Sequence, residues 1–93
     1  MAVGVLQVWL RLPGAQTLKD KRAVVSGLLA RVRRDFNVSA AELGYLDEPN
    51  RALLGFAHLS NDGRHSDEVL ARILATFEGQ REFYVEQHEL EFR

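Results

Sequence analysis

The chain has 93 residues, no cysteine and a formal charge of −1, a length that supports one core burying roughly 60–65% of the extended chain's surface and leaves no room for a second. Without a thiol, disulfides, thiolate metal sites and cysteine nucleophiles are all excluded. The near-neutral total hides an uneven spread: residues 1–34 hold seven Lys or Arg against one Asp, and residues 35–93 hold five Arg against twelve Asp or Glu, so opposite patches are expected to meet one another or to address a charged partner.

From Ala2 to Leu12 the residues alternate, with Gly4, Leu6, Val8, Leu10 and Leu12 on one side and Val3, Val5, Gln7, Trp9 and Arg11 on the other. This predicts a strand with one apolar and one mixed face. Gln7 and Arg11 interrupt the apolar character and no basic leader or cleavage site accompanies it, so the stretch is read as a strand and not a signal. No run approaches the ~18 apolar residues of a membrane span, and a cytoplasmic, membrane-free protein is expected.

Pro13 and Gly14 end the strand, and Thr17 with Asp20 three residues on forms a capping-box pattern opening a helix over Thr17 to Arg34. Val25, Leu28, Leu29 and Val32, extended by Leu18 and Phe36, give it an apolar face. Lys19, Lys21 and Arg22 crowd its first turn, where the helix dipole disfavours cations by roughly 0.3–1 kcal/mol each. Val38 to Tyr45 reads as a second strand, Leu46 to Asn50 as a hairpin connection, and Arg51 to Leu59 as a third strand, apolar on both sides like a central strand. Ser60 to Gly63 is a turn rich in capping residues. Val69, Leu70, Ile73, Leu74 and Phe77 mark a second helix closed by Gly79, and Phe83 to Phe92 a final strand made polar by Glu86, Glu89 and Glu91.

Two strand-helix-strand units joined by a hairpin match a ferredoxin-like βαββαβ sandwich spanning residues 1–93, an α+β fold with antiparallel strand order 4-1-3-2 and both helices on one face. Gly55 and Ala57 are small, as suits residues beneath helices, so Leu53, Gly55, Ala57 and Leu59 are assigned to the covered face. Val5, Trp9, Leu54, Phe56 and His58 are then expected on the open one.

Leu12-Pro13-Gly14, Leu18-Lys19-Asp20-Lys21-Arg22, Phe36-Asn37-Val38-Ser39 with Glu42, and Ser60-Asn61-Asp62 together resemble the YlxP-like family of small bacterial proteins, from end to end. Asp20 stands where that family commonly has Glu. The resemblance implies a ferredoxin-like fold, a bacterial cytoplasmic setting and a link to ribosome maturation, because family genes sit among those for translation initiation and ribosome-binding factors. It supplies no active site to carry over.

Two candidate surfaces therefore come from the residues themselves. The first is the basic helix, where free N–H groups at its amino end and Lys19, Lys21, Arg22, Arg33 and Arg34 are placed to hold phosphate, as in rRNA or a ribosomal subunit. Lys19, Arg22, Ser26 and Arg33 form a stripe beside the buried face. The competing reading is a solvated face whose cations pair with Glu42, Asp47 or Glu48, or one that meets an acidic protein. The second surface is the open sheet with Val5, Trp9, Leu54, Phe56 and His58, read as a homodimer interface in preference to a base-stacking platform because the patch is so apolar.

His58, His65 and His88 are scattered. Asp62 near His65 and Asp67 is more simply a helix cap than a ligand, so neither metal nor cofactor is expected. Ser60 and Ser66 lie near His65 without a glycine-rich oxyanion motif. The loop from Pro13 to Thr17 occupies the place where acylphosphatases cradle phosphate on this fold, but it has one Gly and no Arg, so the likeness is one of fold alone and no enzyme is expected.

Overall fold

A computed structural model describes all 93 residues. The elements are β1 (Ala2–Arg11), α1 (Leu18–Asp35), β2 (Ser39–Gly44), β3 (Arg51–Ser60), α2 (Gly63–Ala75) and β4 (Tyr84–Phe92). The sheet runs β2-β3-β1-β4 and every pairing is antiparallel, which is the expected order seen from the other edge. The architecture is α+β, with the two helices packed on the sheet's apolar face around one core. That face carries Leu6, Val8 and Leu10 from β1, sealed by Val25, Leu28, Leu29 and Val32 of α1 and Val69, Leu70 and Ile73 of α2.

Local chemistry starts each helix. The Thr17 hydroxyl accepts from the Asp20 N–H and the Asp20 carboxylate accepts from the Thr17 N–H, both at 3.1 Å, completing the capping box. Asp62 caps α2 by accepting from the Arg64 N–H at 3.0 Å. Gly79, just past α2, has φ 73°, a left-handed conformation that glycine adopts without steric cost. At Gly4 of β1 an added Cβ would lie 2.7 Å from Leu70, so the missing side chain lets α2 approach the sheet.

The assignment of the β3 faces is corrected. Register pairs Leu6 with Phe56, Val8 with Leu54 and Leu10 with Ala52, and directly opposed residues share a face. Leu54 and Phe56 are therefore core residues, 0% and 1% exposed, and His58 is buried with them. Of the expected open-face set only Val5 and Trp9 remain there. Their cross-strand partners Ala57 and Leu53 stand on the open side, with Gly55 between them. Small size at Gly55 answers to something else: Leu43, from the edge strand, folds over it and contacts the position a Cβ would take.

Candidate nucleic-acid interface

The buried face of α1 takes Lys21 as well as Val25, Leu28, Leu29 and Val32. These positions recur at intervals of four, three, one and three, one side of a helix. Lys21 is 1% exposed. Its ammonium donates to the carbonyls of Tyr45 at 2.7 Å and Arg51 at 3.0 Å. It also lies 2.9 Å from Glu42 Oε2, an ion-pair contact that falls outside hydrogen-bond alignment. Tyr45 is the one non-glycine residue with positive φ, at 59°, and the Arg51 guanidinium lies 4.2 Å over its ring. Lys21 thus ties α1 to both ends of the β2–β3 hairpin, and its place among the anion-binding cations is withdrawn. A long aliphatic stem lets it cross the core edge to reach fixed acceptors.

An internal carboxylate stands at the amino end of α1. Asp20 Oδ2 accepts from the N–H groups of Gln16 and Thr17, each at 3.1 Å, just ahead of the first helical residue, Leu18. Those backbone bonds, first from Gln16 and then from Thr17, hold the Asp20 carboxyl below the usual range.

Arg34, which stays exposed, has a carboxylate beside it. It binds Asp35 in a forked pair, Nε to Oδ1 at 2.9 Å and Nη2 to Oδ2 at 3.2 Å. This bond, followed by the charges of Arg34 and Arg31, lowers the Asp35 carboxyl. Arg33 instead donates to the Ala40 carbonyl on the edge strand β2, a neutral partner that pins the guanidinium without cancelling its charge.

Lys19 and Arg22 are exposed and belong to none of the ion pairs, which join Arg11 and Arg51 to Glu86, Lys21 to Glu42, Arg34 to Asp35 and Arg93 to Glu91. Of the carboxylates expected to neutralise the helix, Glu42 alone reaches it, at Lys21, and Arg34 is met by Asp35 of its own helix. Lys19, Arg22 and Arg33 line one side of α1, with Arg33 at the β2 edge, a track about 21 Å long at 1.5 Å per residue.

His58 is internal, whereas His65 is exposed. His58 Nδ1 and Ser66 Oγ are 2.8 Å apart, Ser66 Oγ and Ser60 Oγ are 2.8 Å apart, and the Ser60 hydroxyl donates to the Asp62 carbonyl at 2.6 Å. His65 meets His58 edge-on, with ring centroids 5.3 Å apart. Sequence reading paired the serines with His65. Their actual partner is His58, whose inward direction follows from the β3 register. With Ser66 fully buried and His58 6% exposed, this chain of bonds satisfies polar groups beneath α2. No group of three or more His, Asp or Glu converges on a metal position, and no helix is long and apolar enough to cross a membrane.

Residues 3–90 match the profile of a family described as "Protein of unknown function (DUF503)". The chain is 43% identical over 61 residues to "Uncharacterized protein YlxP" of Bacillus subtilis (strain 168). The aligned stretch covers 66% of this chain and 66% of that relative, so the YlxP-like resemblance of the motifs holds.

Proposed function

This chain belongs to the DUF503 family of proteins of unknown function, and on that premise we propose that it is an RNA-binding accessory protein of translation, contacting rRNA or a ribosomal subunit through the outer side of α1. The observation that carries this reading is that Lys19, Arg22 and Arg33 share one side of a rigid helix and none is neutralised by a carboxylate. A linear array of uncompensated cations fits a phosphate backbone, which gains affinity by releasing condensed counterions. We assign the βαββαβ order to the ferredoxin-like class and the protein to the bacterial cytoplasm, following the YlxP-like resemblance. In this role α1 binds and positions; no bond is made or broken.

Affinity for rRNA fragments at 50 mM and 200 mM salt tests the reading, with wild type compared against Lys19→Glu combined with Arg22→Glu. Wild type is expected to bind with a salt slope that falls by about 0.7 for each lost contact, the value for single strands. Absence of binding by wild type at low salt, or equal binding by the double variant, overturns it. Tight binding of an acidic protein partner in place of RNA would support the competing protein-interaction reading.

A further inference from the structure

The sheet has two free edges, β2 and β4, and the chain treats them differently. Arg93 and Val3 exchange both of their backbone bonds, and hydrogen-bonded pairs alternate along an antiparallel ladder. The backbone groups of Glu91 and Glu89, opposite Val5 and Gln7, therefore face β1, and the N–H and C=O groups of His88, Leu90 and Phe92 point away from the sheet. On β1 the same alternation turns Leu6 toward β3, and so turns its partner Phe56 toward β1. Ala40, opposite Phe56, is left with its backbone groups facing outward at the other edge.

The β2 edge is guarded, because Arg33 donates to the outward Ala40 carbonyl and a bulge between Glu42 and Gly44 breaks the strand's regular register. The β4 edge is open. Its bonds from Gln87 to Glu89 at 3.3 Å and from Arg93 to Glu91 at 3.2 Å run between side chains and leave the outward groups of His88, Leu90 and Phe92 free. Side chains along this edge divide by face. Leu90 and Phe92 stand opposite Leu6 and Gly4 on the helix-bearing side and remain 40% and 49% exposed. Glu89 and Glu91 stand on the other side; Glu91 has Arg93 beside it, and Glu89 belongs to none of the ion pairs.

We infer that β4 takes up an extended segment of a protein partner as a fifth strand, one in which apolar residues alternate with lysine or arginine. Main-chain bonds to His88, Leu90 and Phe92 supply the binding, and the alternating side chains supply the selectivity, as strand addition to a free edge does in general. With a period of two, one set of the segment's side chains lies against Leu90 and Phe92 and the other beside Glu89 and Glu91. Those carboxylates favour a cationic strand, and they disfavour a second copy of this chain. A bulge at Glu86 ends the regular part of the edge. Pairing the remainder, Gln87 to Arg93, with itself in full antiparallel overlap sets Glu89 against Glu91 twice, and like charges directly opposite one another are destabilising. The same carboxylates repel a phosphate backbone, so this edge is independent of the cationic side of α1.

A synthetic peptide alternating lysine with valine tests the assignment on the full chain, with fluorescence anisotropy for affinity and amide hydrogen exchange for location. Wild type is expected to bind it at micromolar concentration, to slow exchange at His88, Leu90 and Phe92, and to bind a glutamate–valine peptide far more weakly. Leu90→Pro removes an outward N–H and no bond to β1, and is expected to weaken binding about tenfold. Glu89→Lys combined with Glu91→Lys, both on the exposed strand, should transfer the preference to the glutamate–valine peptide. Lys19→Glu combined with Arg22→Glu should leave peptide binding unchanged, which separates a failure here from a failure of the RNA reading. Absence of binding up to about 1 mM, protection confined to β2, equal affinity for the two peptides, or a Leu90→Pro protein that binds as wild type does overturns the inference. Self-association of wild type that protects the same amides overturns it as well, because a second copy then holds the edge.

Discussion

Lys21 and Arg22 are chain neighbours of the same charge, and the fold gives them opposite surroundings. Lys21 is 1% exposed and bound to two carbonyls and Glu42; Arg22 is exposed with no partner. A 100° step around α1 separates a cation that holds the hairpin in place from one that solvent or a ligand must satisfy. A local count of positive charge therefore overstates what a surface offers, because α1's cations divide into those the protein uses internally and those it leaves free. The unfavourable placement of Lys21 in the first turn is offset by acceptors from β2, the hairpin and β3.

The strongest way to sharpen this contrast is to truncate both residues. Lys21→Ala leaves Glu42 without its counter-charge and two carbonyls without their donor, and is expected to cost about 3 kcal/mol or more, a fall of roughly 12 °C in Tm for a domain of this size. Arg22→Ala is expected to stay within about 0.5 kcal/mol of wild type by urea denaturation. Lys21→Met combined with Glu42→Leu should recover most of the loss, because an apolar pair needs no counter-charge. A Lys21→Ala protein as stable as wild type would break the comparison.

A smaller effect is expected at the start of the helix. Thr17→Ala removes the acceptor of the Asp20 N–H and should cost about 1 kcal/mol, read from the midpoint of chemical unfolding. The pH dependence of that midpoint reports on Asp20 itself. Its folded carboxyl is depressed by the Gln16 and Thr17 N–H groups, so it contributes stability above its unfolded value, near 4, that is lost as pH falls through the lower folded value. Asp35, depressed mainly by its bond to Arg34, and Glu86, depressed mainly by its bond to Arg11, act with the same sign. Asp20→Asn should flatten the acid limb without abolishing it, and an unchanged limb would show the cap to be energetically idle. A stability effect as small as that of Arg22→Ala is expected for Arg33→Ala, within about 0.5 kcal/mol. That variant should still lower the salt slope of RNA binding by about 0.7.

The elements themselves were legible, and for local reasons. The capping box of Thr17 and Asp20, the Asp62 cap, the hairpin connection and the alternation along β1 each depend on residues a few positions apart, so reading them needs no knowledge of the fold. The YlxP-like motifs were legible in the same way. Partial warning was present for Lys21, which shares the spacing of Val25, Leu28 and Val32. Nothing nearby, however, announced its acceptors, since Tyr45 and Arg51 lie 24 and 30 residues away. Arg34 has a partner at shorter range, the adjacent Asp35, which was legible as such.

β3 shows where sequence stops. Arg51 to Ser60 is apolar on both sides, so a period of two has two solutions differing by one residue, and each sends the opposite set of side chains inward. Residue size favoured the wrong one, because Gly55 is small to admit Leu43, not a helix. What the sequence determined by itself was the series of strands and helices, fixed by periodicity and by hydrogen bonds between near neighbours. What only the tertiary structure decided was which face of β3 is buried, which cations of α1 are consumed and where His58 points. Those outcomes are set by pairing across strands and by acceptors distant in the chain, and such contacts exist only once the sheet has closed against its helices.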